Sequence, residues 1–303
     1  WYLTGPTAAG KSTVGVELAR QLNAEIISLD SMAVYRGMDI GTAKPSVDQR
    51  RCVPHHLIDL VDPDQDFSVA QYLQAAHRCR EQIHTRGRQV LFVGGTPLYM
   101  KALLRGLCSG PPADWDLRQQ LSGEAAAGGP EQLHRRLAEV DPQAAAKLHP
   151  QDTRRLIRAL EVYQQSGGPI SGYQHQFPAA SAGATRRVFV LDWPRDQLHQ
   201  RIDGRVDQMF AAGLVAEVRQ LLSRYERLSR TAAQAAGYRE VAAFLRGECE
   251  LATAIQQTKT RTRQLARRQL TWFRSLSECH WIQLAEPLAL DRLVRQMLAV
   301  APG

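Results

Sequence analysis

The feature that most constrains this chain is a phosphate-binding loop within its first twelve residues. The run Gly5-Pro-Thr-Ala-Ala-Gly-Lys-Ser12 fits the pattern G-x-x-x-x-G-K-[ST] at every defined position. The residues before it predict a strand that ends near Thr4, and those from Lys11 to Leu22 predict a helix. A strand, this loop and a helix together form a site in which backbone N–H groups bind phosphate. The predicted diphosphate-binding residues are Gly5, Pro6, Thr7, Ala8, Ala9, Gly10, Lys11 and Ser12.

Residue types in this loop have separate chemical roles. Gly5 and Gly10 permit backbone angles that turn N–H groups toward a phosphate, and Lys11 supplies a cation. The hydroxyl of Ser12 is a ligand for Mg²⁺, which is the expected cofactor. Such a loop serves nucleotide hydrolysis, phosphoryl transfer or the holding of a diphosphate, so the loop alone does not choose among them.

Alternating strands and helices predict an α/β fold, an open parallel sheet built around the P-loop. Further apolar runs predict strands at residues 24–29, 90–93, 187–192 and 280–284. A helix from Val69 to Arg86 separates the first two of these strands. Thr96 and Pro97 then predict the cap and the first residue of another helix.

A long segment without strand character interrupts this alternation. From Ala113 to about Gln176 the sequence predicts only short amphipathic helices, including one that Asp152 caps and Gly167 ends. We therefore predict a helical insertion in an α/β core. The predicted domains are 1–112 for the first part of the core, 113–180 for the helical insertion, and 181–303 for the second part with its basic helices.

The overall charge of the chain favours a polyanionic partner. Its 303 residues carry a formal net charge of +8, which suggests nucleic acid as that partner. No run of 18 apolar residues predicts a membrane span, so no membrane partner is expected. The five cysteines are scattered, so we expect free thiols in a reducing compartment and a cytoplasmic location. A monomer is expected.

Two polar residues follow predicted strands at the edge where open α/β sheets bind ligands. Asp30 either accepts a proton from a nucleophile or caps the backbone of its own loop. Thr96 either caps the helix that Pro97 begins or also contacts a phosphate or a base. The strand before Thr96 ends in Gly94-Gly95, whereas kinases and NTPases have a metal-binding Asp on a second strand. This favours a diphosphate leaving group over phosphoryl transfer.

Two adjacent histidines resemble a metal site at first inspection. His55 and His56 point to opposite faces of an extended chain, which makes joint metal binding awkward. We therefore predict a structural loop with one packed and one exposed histidine.

A basic helix is predicted near the end of the chain. Between Leu251 and Ser277 there is no Asp or Glu. Helical spacing places Lys259, Arg263, Arg267 and Arg274 on one face, and Ile255, Leu265, Trp272 and Leu276 on another, which is predicted to pack on the core. A stripe of one charge over about 30 Å of helix indicates a bound phosphate backbone, and the alternative is a solvent-exposed surface helix.

Together these residues resemble the tRNA dimethylallyltransferases, also called tRNA isopentenyltransferases, of the bacterial type. The resemblance runs nearly end to end. Its motifs are the P-loop, Ser28–Pro45, Pro54–Asp59, Val93–Tyr99, Arg154–Ala159 with Leu160–Tyr163, Ala236–Arg239 and Arg267–Arg274. The family usually has Val where this chain has Ala236, which makes the match weaker at that motif.

The resemblance implies transfer of a dimethylallyl group from dimethylallyl diphosphate to N6 of the adenosine adjacent to the anticodon in tRNA. It implies that Asp30 is the general base, that Thr96 and Arg118 flank the reacting adenosine, and that Arg205 contacts the diphosphate. It also implies four segments of tRNA contact. These are Asp30, Ser31, Met32 and Ala33; Arg154, Arg155, Leu156, Ile157 and Arg158; Gln234, Ala235, Ala236, Gly237, Tyr238 and Arg239; and Arg267, Arg268, Gln269, Leu270, Thr271, Trp272, Phe273 and Arg274.

Three other functions use the same loop. One is a P-loop kinase of a nucleoside or small metabolite, and another is a non-catalytic RNA-binding P-loop protein. The third is prenylation of free AMP or ADP. The insertion and the basic helix argue against this third function, because a mononucleotide substrate needs neither.

Overall fold

The computed structural model describes residues 1–106, 110–174 and 187–300. The chain divides into two compact units, one of Trp1–Leu103 with Gly183–Gly303 and one of Leu104–Ala182. The predicted boundary between residues 180 and 181 lies outside the described residues, as does the predicted free thiol of Cys108. Cys52, Cys79 and Cys249 are free thiols.

The first unit contains a six-stranded sheet in which every pair of neighbouring strands is parallel. The strands are β1 (Tyr2–Thr4), β2 (Ala24–Ser28), β3 (His55–His56), β4 (Gln89–Val93), β5 (Val188–Asp192) and β6 (Cys279–Gln283). Their order across the sheet is β3-β2-β4-β1-β5-β6. The predicted α/β fold with an open parallel sheet is therefore confirmed.

Helices connect these strands and fill the second unit. They are α1 (Lys11–Gln21), α2 (Val47–Cys52), α3 (Val69–Thr85), α4 (Pro97–Arg105), α5 (Trp115–Gly128), α6 (Pro130–Val140), α7 (Pro142–Ala145), α8 (Thr153–Ser166), α9 (Ile170–Gln174), α10 (Arg195–Ala211), α11 (Leu214–Arg224), α12 (Arg230–Ala233), α13 (Tyr238–Leu245), α14 (Leu251–Arg274) and α15 (Leu290–Ala299). Across the described residues, no helix combines the length and the apolar character needed to cross a bilayer.

The central strands are buried because they lie inside the core. All five residues of β2 are buried, as are the first four of β5, which is typical of parallel strands covered on both faces. The chain then leaves β4 through Gly94, where it passes so close to β2 that a Cβ atom would overlap the carbonyl group of Leu29. Glycine at this position therefore lets two strand ends meet beside the P-loop.

A buried lysine with two carboxylate partners, and a third carboxylate on α11, hold the long connection between β2 and α3. Lys44 donates to Asp39 Oδ1 at 2.6 Å and to Asp59 Oδ1 at 2.5 Å, and its side chain is almost completely buried. Glu217 on α11 accepts the backbone N–H groups of Asp39 and Ile40 at 3.0 and 2.8 Å. This segment is therefore an ordered part of the first unit although it is mostly irregular.

The prediction for the two histidines was wrong in its local structure. His55 and His56 form the edge strand β3, which pairs with Ile26 and Ile27 of β2, and both side chains are half-buried. His56 Nε2 lies 2.6 Å from the carboxylate of Glu25. The pair is extended because β2 offers it a hydrogen-bonding edge, so its role is structural, as predicted.

The second unit is helical throughout its described residues. Asp152 caps α8 by accepting the Arg155 N–H at 3.3 Å, and Gly167 ends that helix with a φ of 69°. The hydrophobic core of the second unit is built from helices α5 to α8 and includes Leu121, Leu133 and Leu160. This unit therefore has a core of its own.

A matched pair of glycine substitutions tests the close approach at the end of β4. Gly94→Ala should lower the free energy of unfolding by about 2 kcal/mol or more, because a rigid backbone carbonyl occupies the space of the new methyl group. Gly204→Ala in α10 should raise it by about 1 kcal/mol, because that position is open and alanine favours a helix. Chemical denaturation of both variants measures the two free energies of unfolding. Equal stabilities of the two variants would contradict the close approach at Gly94.

Candidate active site

The P-loop adopts the conformation that its glycines allow. Gly5 and Gly10 have φ values of 145° and 87°, and Ala8 has a φ of 64°. A Cβ atom on Gly5 would lie 2.7 Å from the carbonyl oxygen of Leu191, so this position requires glycine for space as well as for its backbone angle. Gly10 then places α1 with its N-terminus at the end of the loop. The loop and the helix end form an anion-binding site.

Side chains outside the motif hold the loop by its carbonyl oxygens. Trp193 Nε1 donates to Ala9 O at 3.1 Å, and Arg201 Nε donates to Ala8 O at 3.1 Å. The Arg201 guanidinium also lies 4.4 Å from the centre of the Trp193 ring. Neither contact with the loop was predicted from the sequence, because a tryptophan after β5 and an arginine on α10 belong to no motif.

A buried glutamine forms a third contact with the loop. Gln269 on α14 is 8% exposed, and its Oε1 accepts the Thr7 N–H at 2.8 Å. Its Nε2 donates to Gly95 O at 2.6 Å. The P-loop motif predicted diphosphate contact for Thr7 and the resemblance implied tRNA contact for Gln269; the structure shows these two residues bonded to each other. The Thr7 N–H therefore has a hydrogen-bond partner within the protein.

Two cations, Lys11 of the P-loop and Arg205 of α10, lie at this site. Lys11 Nζ donates to Gly5 O at 3.1 Å and to Pro6 O at 2.7 Å. Burial lowers the pKa of Lys11 to about 7, the Arg205 guanidinium contributes in the same direction, and the Asp30 carboxylate opposes both. Burial also lowers the pKa of Arg205, again opposed by Asp30. The site therefore favours a bound anion, which would relieve the cost of these charges.

Asp30 and Thr96 lie together at the carboxyl edge of the sheet. Asp30 Oδ1 accepts the N–H groups of Met32 and Ala33 at 2.8 and 3.3 Å. Thr96 Oγ1 accepts the Ser31 N–H at 3.0 Å, and Thr96 O accepts the Met100 N–H in the first turn of α4. Asp30 thus makes the backbone contacts that the sequence allowed, whereas the Thr96 hydroxyl bonds Ser31 and only the Thr96 carbonyl bonds into α4. The charge of the Asp30 carboxylate also acts to raise the pKa of both Lys11 and Arg205.

A pair of stacked tyrosines lies near Asp30. The rings of Tyr72 and Tyr99 are 4.0 Å apart between centroids and nearly parallel, and Tyr72 Oη donates to Ser28 O at 2.9 Å. Burial raises the pKa of both tyrosines, and the Asp30 charge contributes to both shifts. Both phenols therefore stay protonated near neutral pH. The sequence reasoning did not single out either residue.

In the helical unit, one buried carboxylate organises two predicted RNA-contact residues. Glu161 is fully buried and accepts from Arg118 Nε and Nη2 at 2.8 and 2.9 Å and from Arg158 Nη1 at 2.6 Å. The Arg118 guanidinium also lies 4.9 Å from the centre of the ring of Trp115, which is 51% exposed. Arg118 is therefore held in one orientation. Glu161 was missed because a single Glu in a helix is unremarkable in sequence.

The structure divides the predicted tRNA-contact segments into exposed and buried members. The exposed residues are Arg154, Arg155, Gln234, Arg239, Arg267, Arg268, Thr271 and Arg274. The half-buried residues are Asp30, Ser31, Met32, Arg158, Ala236, Leu270 and Trp272. The buried residues are Ala33, Leu156, Ile157, Ala235, Gly237, Tyr238, Gln269 and Phe273. Except at Gly237, which has no side chain, the side chains of the last group pack in the core or bond within it; for example, Tyr238 Oη donates to Glu217 at 2.5 Å.

Helix α14 differs from its predicted pattern in its buried face and in its charge. The buried residues are Ala254, Thr258, Thr262, Ala266, Gln269 and Phe273, whereas Ile255, Leu265 and Trp272 are only half-buried. The predicted stripe is also partly neutralised: Lys259 pairs with Asp207, Arg261 with Glu240 and Arg263 with Asp203. The carboxylates come from α10 and α13, so a search of α14 alone could not find them. The exposed positive charge is concentrated at the C-terminal end of the helix.

The lowered pKa of Lys11 predicts pH-dependent binding of a diphosphate. The free protein loses this proton near pH 7, whereas a bound diphosphate favours the ammonium form, so binding takes up a proton above pH 7. The affinity should therefore fall as the pH rises, by up to about tenfold per pH unit. Calorimetry with a diphosphate monoester measures this affinity at each pH. The last ionisation of the ligand lies at about pH 6, so the ligand itself does not change its charge above pH 7.

Lys11→Arg provides the control for this prediction. Arginine stays charged throughout the range, so the variant should show no fall in affinity above pH 7, whatever its absolute affinity. Wild-type binding that is independent of pH between 7 and 9 would contradict the shifted Lys11 pKa.

Comparison with known proteins assigns the chain to a family. The sequence model described as IPP transferase matches residues 33–276. A tRNA dimethylallyltransferase of Rhodopirellula baltica is 50% identical over 284 residues, covering 91% of this chain and 85% of the relative. One of Geobacter metallireducens is 47% identical over 281 residues, covering 92% of this chain and 90% of the relative.

Solved structures agree with the sequence comparison. The full-length tRNA isopentenylpyrophosphate transferase of Bacillus halodurans is 39% identical, and its structure aligns with a TM-score of 0.73. The alignment covers 99% of this chain and 94% of the other. A eukaryotic dimethylallyltransferase acting on tRNA is 27% identical, and its structure aligns with a TM-score of 0.83. This alignment covers 99% of this chain and 79% of the other. The chain therefore belongs to the IPP transferase family of tRNA-modifying enzymes.

Proposed function

We propose that this protein transfers a dimethylallyl group from dimethylallyl diphosphate to N6 of the adenosine adjacent to the anticodon in tRNA. The observation that carries the proposal is the position of Asp30 beside a P-loop: its neighbour Ser31 donates to Thr96, and a Cβ atom on the adjacent Gly95 would lie 3.4 Å from Lys11 Nζ. The charge of Asp30 also acts to raise the pKa of Lys11 and of Arg205 on α10. The neighbouring strand β4 ends in Gly94-Gly95-Thr96 and supplies no carboxylate for phosphoryl transfer. Such a site has an anion cradle and a proton acceptor side by side. The activity named for the relatives supports the choice of substrates.

The reaction is a substitution at the first carbon of the prenyl group. The lone pair of N6 forms a bond to this carbon, and the bond from the carbon to the diphosphate oxygen breaks with its electron pair leaving on the diphosphate. N6 loses one proton. Asp30 is proposed to hydrogen-bond the exocyclic amine and accept that proton, as a carboxylate within reach of the nucleophile can. Its backbone contacts through Oδ1 hold the carboxylate in place.

The loop stabilises the charge that develops on the leaving group. Lys11, Arg205 and the N–H groups at the start of α1 are proposed to bind the diphosphate oxygens, because a half-buried cation interacts with an anion more strongly than one in water does. The contacts of Trp193 and Arg201 hold the loop carbonyls away from the anion. The stacked rings of Tyr72 and Tyr99 are proposed to exclude water from the same region.

Mg²⁺ fits this site as a partner of the diphosphate. Ser12, half-buried at the start of α1, offers a hydroxyl oxygen, and no cluster of three or more metal-binding side chains occurs within the parts of the chain described here. Mg²⁺ is commonly held by substrate phosphates, waters and few protein ligands, so this donor set suits it. Ser12 would hold the ion, which would offset negative charge on the departing diphosphate.

The basic end of α14 is proposed to bind the tRNA backbone. Arg267, Arg268 and Arg274 are exposed there, and the chain has a net charge of +8. Backbone contacts would offset the few kcal/mol needed to take the target adenosine out of its stack. We propose that the enzyme acts as a monomer, and that it does so in the cytoplasm with tRNA as its substrate.

Nucleoside mass analysis tests the proposed function directly. Incubation of tRNA with the protein, Mg²⁺ and dimethylallyl diphosphate should yield an adenosine heavier by one dimethylallyl group in place of one hydrogen. A parallel incubation with labelled ATP and candidate acceptors should yield no phosphorylated product. Phosphorylated product together with unmodified adenosine would identify a kinase instead, and binding without turnover would identify a non-catalytic RNA-binding protein.

Asp30→Asn separates the proposed proton transfer from the loop structure. Asparagine keeps an oxygen for the Met32 and Ala33 N–H groups but is a poor base, so kcat should fall by about 100-fold while the Kd for tRNA changes little. Single-turnover prenylation and filter binding measure the two quantities. Asp64→Asn on an exposed loop is the control, and an unchanged rate in Asp30→Asn would remove Asp30 from the mechanism.

Replacing the exposed arginines of α14 tests the proposed tRNA surface. Arg267→Gln with Arg268→Gln should weaken tRNA binding and lower the slope of log Kd against log salt by about 2, since two phosphate contacts are lost. Arg292→Gln with Arg295→Gln on α15 removes the same charge elsewhere and should leave the slope near the wild-type value. Equal slopes for the two double variants would contradict the assignment of this surface.

A further inference from the structure

We propose that Gln269 is a positioning residue that sets the spacing between the P-loop and the loop that carries Thr96. This inference rests on the proposed function. The P-loop would hold the leaving group, and the Thr96 loop lies beside the base Asp30. The amide of Gln269 would thus align the leaving group with the nucleophile, although it touches neither substrate.

The geometry shows one side chain joining two loops that are distant in sequence. Gln269 Oε1 accepts the Thr7 N–H at 2.8 Å, across 262 positions of the chain. Its Nε2 donates to Gly95 O at 2.6 Å, across 174 positions. The Gly95 carbonyl is one residue from Thr96, and Thr7 is the third residue of the P-loop. The amide therefore bridges the two loops directly.

The chemistry of both bonds requires a glutamine of this length. Thr7 presents a donor and Gly95 presents an acceptor, so the bridging group needs an acceptor and a donor on one rigid plane, which a carboxamide has. The assignment of oxygen and nitrogen in the amide follows from these two partners. Asparagine has the same amide on a side chain shorter by one methylene group, so it cannot reach both loops from the same backbone position.

The surroundings of Gln269 leave the bridge little freedom to move. The neighbouring turns of α14 are anchored in the core by Ala266 and Phe273, which are both buried. A Cβ atom on Gly95 would lie 2.7 Å from Gln269 Nε2 and 3.4 Å from Lys11 Nζ, so the amide fits directly against a glycine backbone. Thr96, next in sequence, accepts the Ser31 N–H. A displacement of the amide would thus move Gly95 and, through Thr96, the loop that holds Asp30.

Gln269→Met tests the inference, because methionine has similar size and no hydrogen-bonding amide. We expect kcat for prenylation of tRNA to fall by about tenfold to 100-fold, since small misplacements of reacting groups have effects of this size. Calorimetry should show weaker binding of inorganic diphosphate, by about tenfold. The Kd for tRNA should stay within about twofold of wild type, because the Gln269 side chain is buried. Gln257→Met, an exposed position on the same helix, is the matched control and should change none of these quantities.

Gln269→Asn is a second, independent test of the hydrogen bonds that join Thr7 and Gly95 through Gln269. It keeps the polarity of the site but shortens the reach, so it should lower kcat and diphosphate affinity as Gln269→Met does, with a circular dichroism spectrum like that of the wild type. Wild-type kcat and diphosphate affinity in either folded variant would overturn the inference, as would a loss of tRNA affinity equal to the loss of kcat. A wild-type protein that binds diphosphate but prenylates no adenosine would refute the proposed function instead. In that case the diphosphate affinities of the variants still decide whether Gln269 positions the loop.

Discussion

The candidate active site depends on hydrogen bonds from surrounding side chains to the backbone carbonyl oxygens of the P-loop. The P-loop can present its N–H groups to an anion only if its carbonyl oxygens are satisfied on the other side, because a buried polar group without a partner is costly. Trp193 and Arg201 accomplish this for Ala9 and Ala8, and Gly5 passes so close to Leu191 that no side chain would fit. The conformation of the loop therefore comes from the tertiary structure around it as much as from its own glycines.

Charged side chains beside the P-loop make this site suited to binding an anion. Lys11 and Arg205 lie together in a region that disfavours ionised groups, and Asp30 compensates them only in part. Burying such a pair of cations costs free energy, and a bound anion would offset that cost. Similar use of a buried charge occurs in the helical unit, where Glu161 holds Arg118 and Arg158 in fixed directions. In both units the charged groups are oriented before any substrate arrives.

Sequence reasoning succeeded where a pattern was local. The P-loop, the strand ends, the cap at Asp152 and the parallel sheet all follow from neighbouring residues, and each was predicted. It failed where partners are distant in sequence. The pairing of Lys259 and Arg263 with carboxylates of α10, and the burial of Gln269 and Tyr238, depend on which helices pack together. A charge pattern on one helix does not reveal its neighbours, so the predicted stripe was too long.

The contact between Thr7 and Gln269 has a consequence for biosynthesis. The two residues are 262 positions apart, so the motif leaves the ribosome long before the helix that completes its cradle. Contacts of such long range form late and at a large entropic cost. A chain that stalls or is cleaved before α14 would therefore carry an intact P-loop sequence without the Gln269 contact that holds Thr7.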